Sequence, residues 1–141
     1  MCGIAGCFNI KNNEIYGLEN HLDVMGELIK HRGPDGKDSW IHESKGVGFT
    51  HRRLSVIDLS KNASQPMKGP DRNVITFNGE IYNYRQLKSE LKKDGYRFST
   101  LGDTEVILNM YLKHGIDFLG KLNGIFALAI YDARSRKTFV A

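Results

Sequence analysis

Long hydrophobic runs are missing from this sequence of 141 residues. No apolar stretch approaches the roughly 20 residues that a membrane-spanning helix needs. The first ten residues, MCGIAGCFNI, also lack the basic start and long apolar core of a signal peptide. We therefore expect no membrane partner and a cytoplasmic location. A hydrophobic fraction of 40% in a chain of this length indicates a soluble protein of one domain.

Cysteine is scarce as well. Cys2 and Cys7 are the only cysteines, too few for a disulfide framework, and the spacing between them matches no common zinc motif. The five histidines are scattered, with no pair at the spacing of metal ligands. We expect no metal site in this chain.

Dense positive charge is also missing. The formal net charge is +4, but lysine and arginine are mixed with acidic residues, as in SELKKDGYR. A nucleic-acid-binding surface would show clustered basic residues with interleaved aromatic side chains. We therefore expect no nucleic-acid partner.

Strand and helix patterns alternate along the chain. Strands are predicted over 3–10, 46–50, 54–58, 73–77, 124–131 and 137–140, and helices over 18–30, 83–94 and from 103 or 104 to about 115. The turn-forming HRGPDG at 31–36 should end the first helix. The strand that begins at 73 should stop at Asn78-Gly79, and Asn83 with Gln86 forms a helix-start signature. With strands grouped at both ends, the pattern indicates an α+β fold.

Cys2 is the first residue with a chemical argument. Methionine aminopeptidase removes Met1 when the next residue is small, and cysteine qualifies. The product carries a thiol and a free α-amine, which titrates at about 7.7–8.0 and can accept the thiol proton directly or through a water. Taken alone, a cysteine at position 2 is more often accidental.

Asn78-Gly79 allows two interpretations. Asn-Gly is a preferred hairpin turn. An asparagine amide and a neighbouring backbone N–H can also bind a developing negative oxygen, and glycine would let a substrate approach the backbone. The spacing alone favours the turn.

Several charged residues suit a free amino acid as ligand. Arg53 could bind its carboxylate through two hydrogen bonds, and Asp103, helped by Glu80, could pair with its ammonium. Each of these residues alone is more often a solvated surface charge. His31 and Arg32 could equally form a cation pair that favours the C-terminal end of a helix.

Five motifs in a fixed order decide between these alternatives. They are MCGIAG at 1–6, HRGPDG at 31–36, RLSVID at 53–58, FNGEIYNY at 77–84 and GDTE at 102–105. Together they resemble class II glutamine amidotransferases of the asparagine synthetase type. The HRGPDG and NGEIYNY strings separate this type from the glucosamine-phosphate synthase and phosphoribosyl-amidotransferase branches. The resemblance covers essentially the whole chain.

This resemblance implies the N-terminal-nucleophile hydrolase fold, a four-layer αββα sandwich, over residues 2–141. Cys2 would attack the glutamine amide, with Asn78 and the backbone of Gly79 binding the oxyanion. Arg53 would bind the α-carboxylate, and Glu80 and Asp103 the α-amine. The implied glutamine-binding residues are Arg53, Leu54, Ser55, Val56, Ile57, Asn78, Gly79, Glu80 and Asp103.

The resemblance also implies parts outside this chain. Domains of this type continue beyond the point that matches Ala141, so we expect a domain that is incomplete at its C-terminus. We expect no cofactor here, because ATP and magnesium belong to a synthetase domain that accepts the ammonia and makes asparagine. The expected substrate is L-glutamine, and the full-length enzyme could be a homodimer. Two alternatives stay open: the same chemistry feeding a sugar or another carboxylate in a polysaccharide or antibiotic pathway, or an inactive truncated module that binds glutamine or a partner protein.

Overall fold

Two antiparallel sheets lie face to face between helices in the computed structural model, which describes residues 2–11, 13–54 and 60–141. One helix covers the outer side of the first sheet, and two helices cover the outer side of the second. The layers therefore follow the order α, β, β, α, as the resemblance implied.

The first sheet contains β1 (Gly3–Phe8), β2 (Gly36–Ile41) and β3 (Val47–Arg53), with β3 in the middle and antiparallel to both neighbours. Its outer face packs on α1 (Leu18–Leu28). The buried positions of α1 are spaced four residues apart, at Leu18, Leu22 and Gly26, which gives the helix one face for the sheet. A 3₁₀ turn over Lys30–Arg32 follows α1.

The second sheet has the strand order β4-β5-β6-β7 and antiparallel pairing throughout. Two further helices, α2 and α3, pack on its outer face, and 3₁₀ turns cover Lys61–Ala63 and Gly115–Lys121. The element bounds are Met67–Lys68 for β4, Val74–Ile81 for β5, Gly124–Asp132 for β6, Lys137–Val140 for β7, Tyr84–Lys93 for α2 and Thr104–His114 for α3.

Apolar side chains form two cores. The larger lies between the second sheet and its helices, and includes Ile107 and Phe118. The smaller lies between the sheets, where Phe49 of β3 meets Val74 of β5 and Tyr131 of β6. The Trp40 ring of β2 completes it, at 5.3 Å from the Tyr131 ring between centroids.

Successive side chains of β3 point to opposite faces of the first sheet. Phe49 lies in the core between the sheets, whereas the Nε of Arg52 donates a 2.7 Å hydrogen bond to the carbonyl of Gly26 in α1. By the same alternation His51 and Arg53 face the second sheet, and Thr50 faces α1.

Residues Asn78 and Gly79 belong to a strand, so the predicted strand end and the turn interpretation are wrong. β5 continues to Ile81, and Asn78 and Gly79 pair with Ala127 and Phe126 of β6. Gly79 has a φ of 150°, a conformation that L side chains rarely adopt, and a Cβ there would collide with the Ile125 carbonyl oxygen. The glycine is used for close approach of β6 rather than for a turn.

The residues at two predicted helix starts, Asn83 and Asp103, are N-caps whose side chains bond elsewhere. Asn83 stands at the N-cap of α2 without a capping side-chain hydrogen bond. Its Oδ1 instead accepts from the Asn123 amide at 3.0 Å, and its Nδ2 donates to the Lys121 carbonyl at 2.9 Å. Asp103 at the N-cap of α3 likewise does not cap with its side chain.

Other boundaries differ in smaller ways. The sequence patterns miss β2, whose centre is the polar run Lys37, Asp38 and Ser39. The predicted strand over 54–58 does not begin at Leu54, and the rest of it lies outside the described residues. Within the described residues, no helix has the length and apolar character that crossing a membrane requires.

The larger core, between the second sheet and its helices, predicts that two isoleucines of β6 differ in their contribution to stability. Ile130 is fully buried in β6, whereas Ile125 of the same strand is 70% exposed. Ile130→Ala should lower the free energy of unfolding by about 2–5 kcal/mol, because it leaves a cavity in the core. Ile125→Ala should change it by less than about 0.5 kcal/mol. Urea unfolding of both variants checks this, and equal effects would contradict the packing described.

Candidate active site

Three strand ends meet at one edge of the sandwich. Phe49 lies with Val74 between the sheets, and the His51 ring, two residues further along β3, lies against the backbone of Phe77 in β5. β3 and β5 therefore run in the same direction, and both end at this edge. Because β1 is antiparallel to β3, its first residues begin there too.

Cys2 is anchored at this edge by its backbone and its sulfur. Its half-buried thiol lies 3.4 Å from the amide nitrogen of Leu54 and 3.6 Å from the carbonyl oxygen of the same residue. The Nε of Arg32 donates a 3.0 Å hydrogen bond to the Cys2 carbonyl. Since Gly3 pairs with Arg52, Cys2 comes next to Arg53, on the face that meets the second sheet.

The HRGPDG segment brings Arg32 to this position. The Gly33 backbone lies so close to Arg52 and Arg53 that a Cβ would overlap their backbone atoms. The Asp35 amide then donates a 3.0 Å hydrogen bond to the Arg53 carbonyl. Arg32 thus binds the Cys2 backbone, a role that the helix-end interpretation of His31 and Arg32 did not foresee.

Asn78 projects from β5 into the space between the sheets. Val74 faces this space and Phe77 faces the helices, so the alternation directs Asn78 toward the first sheet. Its Oδ1 is buried and has no hydrogen-bond partner among the described residues. An amide with one buried end and no partner there is unusual, and it lies at the edge that Cys2 occupies.

Asp103 reaches the same strand from the start of α3. Its Oδ2 accepts a 3.1 Å hydrogen bond from the Ile81 amide, and the residue is buried. Burial raises the pKa of the Asp103 carboxyl, and the nearby Glu80 charge adds to this, although backbone hydrogen bonds oppose it. A cation bound beside these two carboxylates would oppose both effects and lower the pKa of Asp103 again.

Glu105 of the GDTE motif has a structural task that the sequence did not reveal. Its carboxylate accepts hydrogen bonds from the backbone amides and hydroxyls of Ser99 and Thr100. Burial raises the pKa of Glu105, but these hydrogen bonds outweigh it and lower the pKa overall. They fix the loop that leads into Asp103.

Arg53 stands at the end of β3, where its Nη1 donates a 3.0 Å hydrogen bond to the Ser60 carbonyl. The predicted binding residues that follow Leu54, namely Ser55, Val56 and Ile57, lie outside the described residues. Their part in the site stays a prediction.

Cys7 and Arg52, which are close in sequence to Cys2 and Arg53, do not face the site. Cys7 is in β1, with its sulfur 3.9 Å from the Met25 sulfur of α1, and burial raises the pKa of its thiol. Arg52 pairs with Glu27 of α1. Within the described part of the chain, no group of three or more His, Cys, Asp or Glu side chains is placed to hold a metal ion.

Comparison with known protein families shows which family has this arrangement. The family described as glutamine amidotransferase domain matches residues 1–141. The chain belongs to this family. It is 39% identical to glutamine-hydrolysing asparagine synthetase 2 of Bacillus subtilis strain 168, over 99% of this chain and 18% of that protein. It is also 39% identical to asparagine synthetase B of Escherichia coli K12, over 94% of this chain and 23% of that protein.

A solved structure agrees on the fold of this amidotransferase domain. Glutamine phosphoribosylpyrophosphate amidotransferase from B. subtilis aligns with 92% of this chain and 28% of its own, at 21% identity and a TM-score of 0.52. This likeness confirms the sandwich fold. The asparagine synthetase type is confirmed by the two sequence relatives. The chain spans only about a fifth of the length of the asparagine synthetases that it matches.

His51 is a titratable group that the sequence reasoning passed over. Burial lowers the pKa of His51 from 6.5 to about 4, with the Arg53 charge lowering it further, while the Phe77 backbone and Asp38 oppose the shift. The ring faces the Phe77 backbone without reaching hydrogen-bonding geometry. His51 is therefore neutral at physiological pH.

This shift predicts a loss of stability in acid. Between pH 7 and pH 5 the unfolded chain takes up a proton at His51 that the folded chain refuses, so unfolding becomes easier as the pH falls. The free energy of unfolding should drop by on the order of 2 kcal/mol more in wild type than in His51→Gln over this range. Denaturant unfolding at both pH values checks this. His31→Gln, at an exposed position, is the control and should behave as wild type.

Proposed function

We propose that this chain hydrolyses glutamine to glutamate and ammonia with Cys2 as N-terminal nucleophile. The ammonia then serves ATP-dependent amidation of aspartate to asparagine by a synthetase domain outside this chain. The observation that carries the proposal is the meeting of Cys2, Arg53 and Asn78-Gly79 at one edge of an amidotransferase fold.

The thiol is activated without a second side chain. After removal of Met1, the α-amine of Cys2 takes the thiol proton, and the sulfur attacks the amide carbon of glutamine. Arg32 and Leu54 fix the residue from both sides, which keeps the amine and the thiol oriented. This arrangement needs no histidine, in keeping with His51 being neutral and buried.

The oxyanion is the charge that the site must stabilise. As the carbonyl becomes tetrahedral, the Asn78 amide and the Gly79 N–H donate hydrogen bonds to its oxygen. The protonated α-amine then gives its proton to the leaving nitrogen, which departs as ammonia and leaves a thioester on Cys2. Water hydrolyses the thioester and releases glutamate.

Recognition of glutamine uses the charges on either side of Cys2. Arg53 binds the α-carboxylate, and Asp103 with Glu80 binds the α-ammonium. Burial raises the pKa of Asp103 and the Glu80 charge adds to this, so an ammonium group bound beside both carboxylates would offset the cost of keeping them ionised.

The acceptor step is proposed from the relatives. Two proteins that match nearly all of this chain are named glutamine-hydrolysing asparagine synthetases, and most of their length lies beyond the matched part. We assign ATP, magnesium and aspartate to that remaining part, and no cofactor to the 141 residues themselves.

The first test separates the two cysteines. Cys2→Ala should abolish glutamate release, because it removes the nucleophile, while Cys7→Ala should retain it. Diazo-oxo-norleucine, an electrophilic glutamine analogue, should label Cys2 and spare Cys7, and the intact mass of active protein should lack Met1. Equal labelling of both thiols, or full turnover with Met1 retained, would rule out the N-terminal-nucleophile mechanism.

A second test separates chemistry from binding. Asn78→Ala should lower kcat by about 100-fold to 1,000-fold, as expected for loss of one oxyanion donor. Arg53→Ala should mainly raise KM, because the carboxylate is bound equally before and during the reaction. Steady-state kinetics of glutamate release measures both.

Arg52→Ala is the matched control for Arg53→Ala. The neighbouring guanidinium is buried against α1, so its loss should lower the melting temperature and leave KM unchanged. If both arginine variants changed KM alike, the assignment of Arg53 to the carboxylate would be wrong.

A further inference from the structure

Buried polar atoms of three side chains between the sheets have no partner in the described part of the chain. Both ring nitrogens of His51, the hydroxyl of Thr76 and the Oδ1 of Asn78 make no hydrogen bond with any described residue. His51 is 1% exposed and Thr76 is 2% exposed, so bulk water does not solvate them. Buried polar groups without partners are rare, because each costs free energy comparable to a lost hydrogen bond.

These groups converge on one space. Thr76 and Asn78 leave β5 on the same face, one on each side of Phe77 and about 7 Å apart along the strand. The His51 ring of β3 lies against the Phe77 backbone from the opposite sheet. The ring therefore lies close to the part of β5 that carries Thr76 and Asn78.

The neighbouring strand of the same sheet carries small side chains beside them. In β6 the residues paired with Thr76 and Asn78 are Ala129 and Ala127, the smallest side chains that a strand can offer apart from glycine. At the next pair on this face, Val74 meets Tyr131, whose ring fills the gap between the sheets. The two alanines of β6 thus lie directly beside the two polar residues of β5.

We propose that His51, Thr76 and Asn78 bind a buried water molecule, and that this water orients the Asn78 amide for the oxyanion. The inference rests on the proposed function of Asn78 as oxyanion donor. A buried water typically makes about three hydrogen bonds, and these three side chains supply that number. The water donates to Oδ1 of Asn78, which turns the Nδ2 donor of the same amide away from the pair of sheets and toward the edge with Cys2.

His51 and Thr76 act through Asn78 and are positioning residues. The neutral imidazole offers one N–H donor and one acceptor nitrogen, and the hydroxyl can donate or accept. Together they fix the orientation of the water. An amide whose flip is blocked in this way presents its donor before the substrate arrives, which is what oxyanion stabilisation requires.

Thr76→Val tests the proposal, because valine has the shape of threonine without the hydroxyl. Removing a hydroxyl that bonds a water should lower the melting temperature by about 3 °C. It should also lower kcat by about tenfold and leave KM unchanged, because the amide loses its fixed orientation. In nitrogen-15 spectra, the side-chain signal of Asn78 should become more mobile. Thr76→Ser keeps the hydroxyl and should restore kcat.

Thr50→Val is the matched control, because Thr50 lies in β3 of the first sheet, on the face toward α1 and away from the space between the sheets. The Thr50 hydroxyl is satisfied by Ser39 at 2.9 Å and by the Asp38 carbonyl at 3.3 Å. Its loss should lower the melting temperature while kcat and the Asn78 signal stay as in wild type.

Two results would overturn the inference. A higher melting temperature for Thr76→Val would mean that the hydroxyl is simply unpaired, since replacing it by a methyl then removes a penalty. An unchanged kcat and Asn78 signal would mean that the water does not orient the amide. If Cys2→Ala retains turnover, the proposed function fails instead, and the melting temperature and the Asn78 signal still decide the water site.

Discussion

The alternation of side chains along β3 is the constraint on which the rest of the structure depends. As the central strand of its sheet, β3 must contact α1 on one face and the second sheet on the other. Arg52 accordingly bonds to α1, while Phe49 and His51 enter the space between the sheets. The same period sends Arg53 toward the second sheet, and antiparallel β1 places Cys2 beside it. A slip of one residue would exchange the two arginines and remove the site.

Backbone pairing therefore sets the positions of the proposed reacting groups, and hydrogen bonds fix their orientation. Arg32 binds the Cys2 carbonyl, Ile81 donates to Asp103, and Glu105 holds the loop before it. Sites built on strand ends keep their geometry without the substrate, which suits the proposed reaction, because its main demand is stabilisation of an oxyanion.

Much of this could be predicted from the sequence, and the failures share a cause. The ordered motifs identified the family and its layers, and local patterns predicted α1, β6 and β7. Asn78-Gly79 misled because its local turn preference is overridden by pairing with β6, which no local pattern encodes. Arg32 was missed for the same reason, since its partner Cys2 lies 30 residues away. Nor does a local pattern show that Asn83 and Asp103 bond to distant backbone instead of capping.

The space between the sheets changes character along its length. At one end Val74, Phe49 and Tyr131 pack as an ordinary apolar core. Toward the edge with Cys2, the same strands carry His51, Thr76 and Asn78, although valine, leucine or phenylalanine would bury more apolar area there. A stability argument alone predicts apolar residues at all these positions, because unpaired buried polar groups are costly. In the arrangement proposed above, the shared water satisfies these groups, so that polarity beside the edge with Cys2 serves the proposed reaction at little cost in stability.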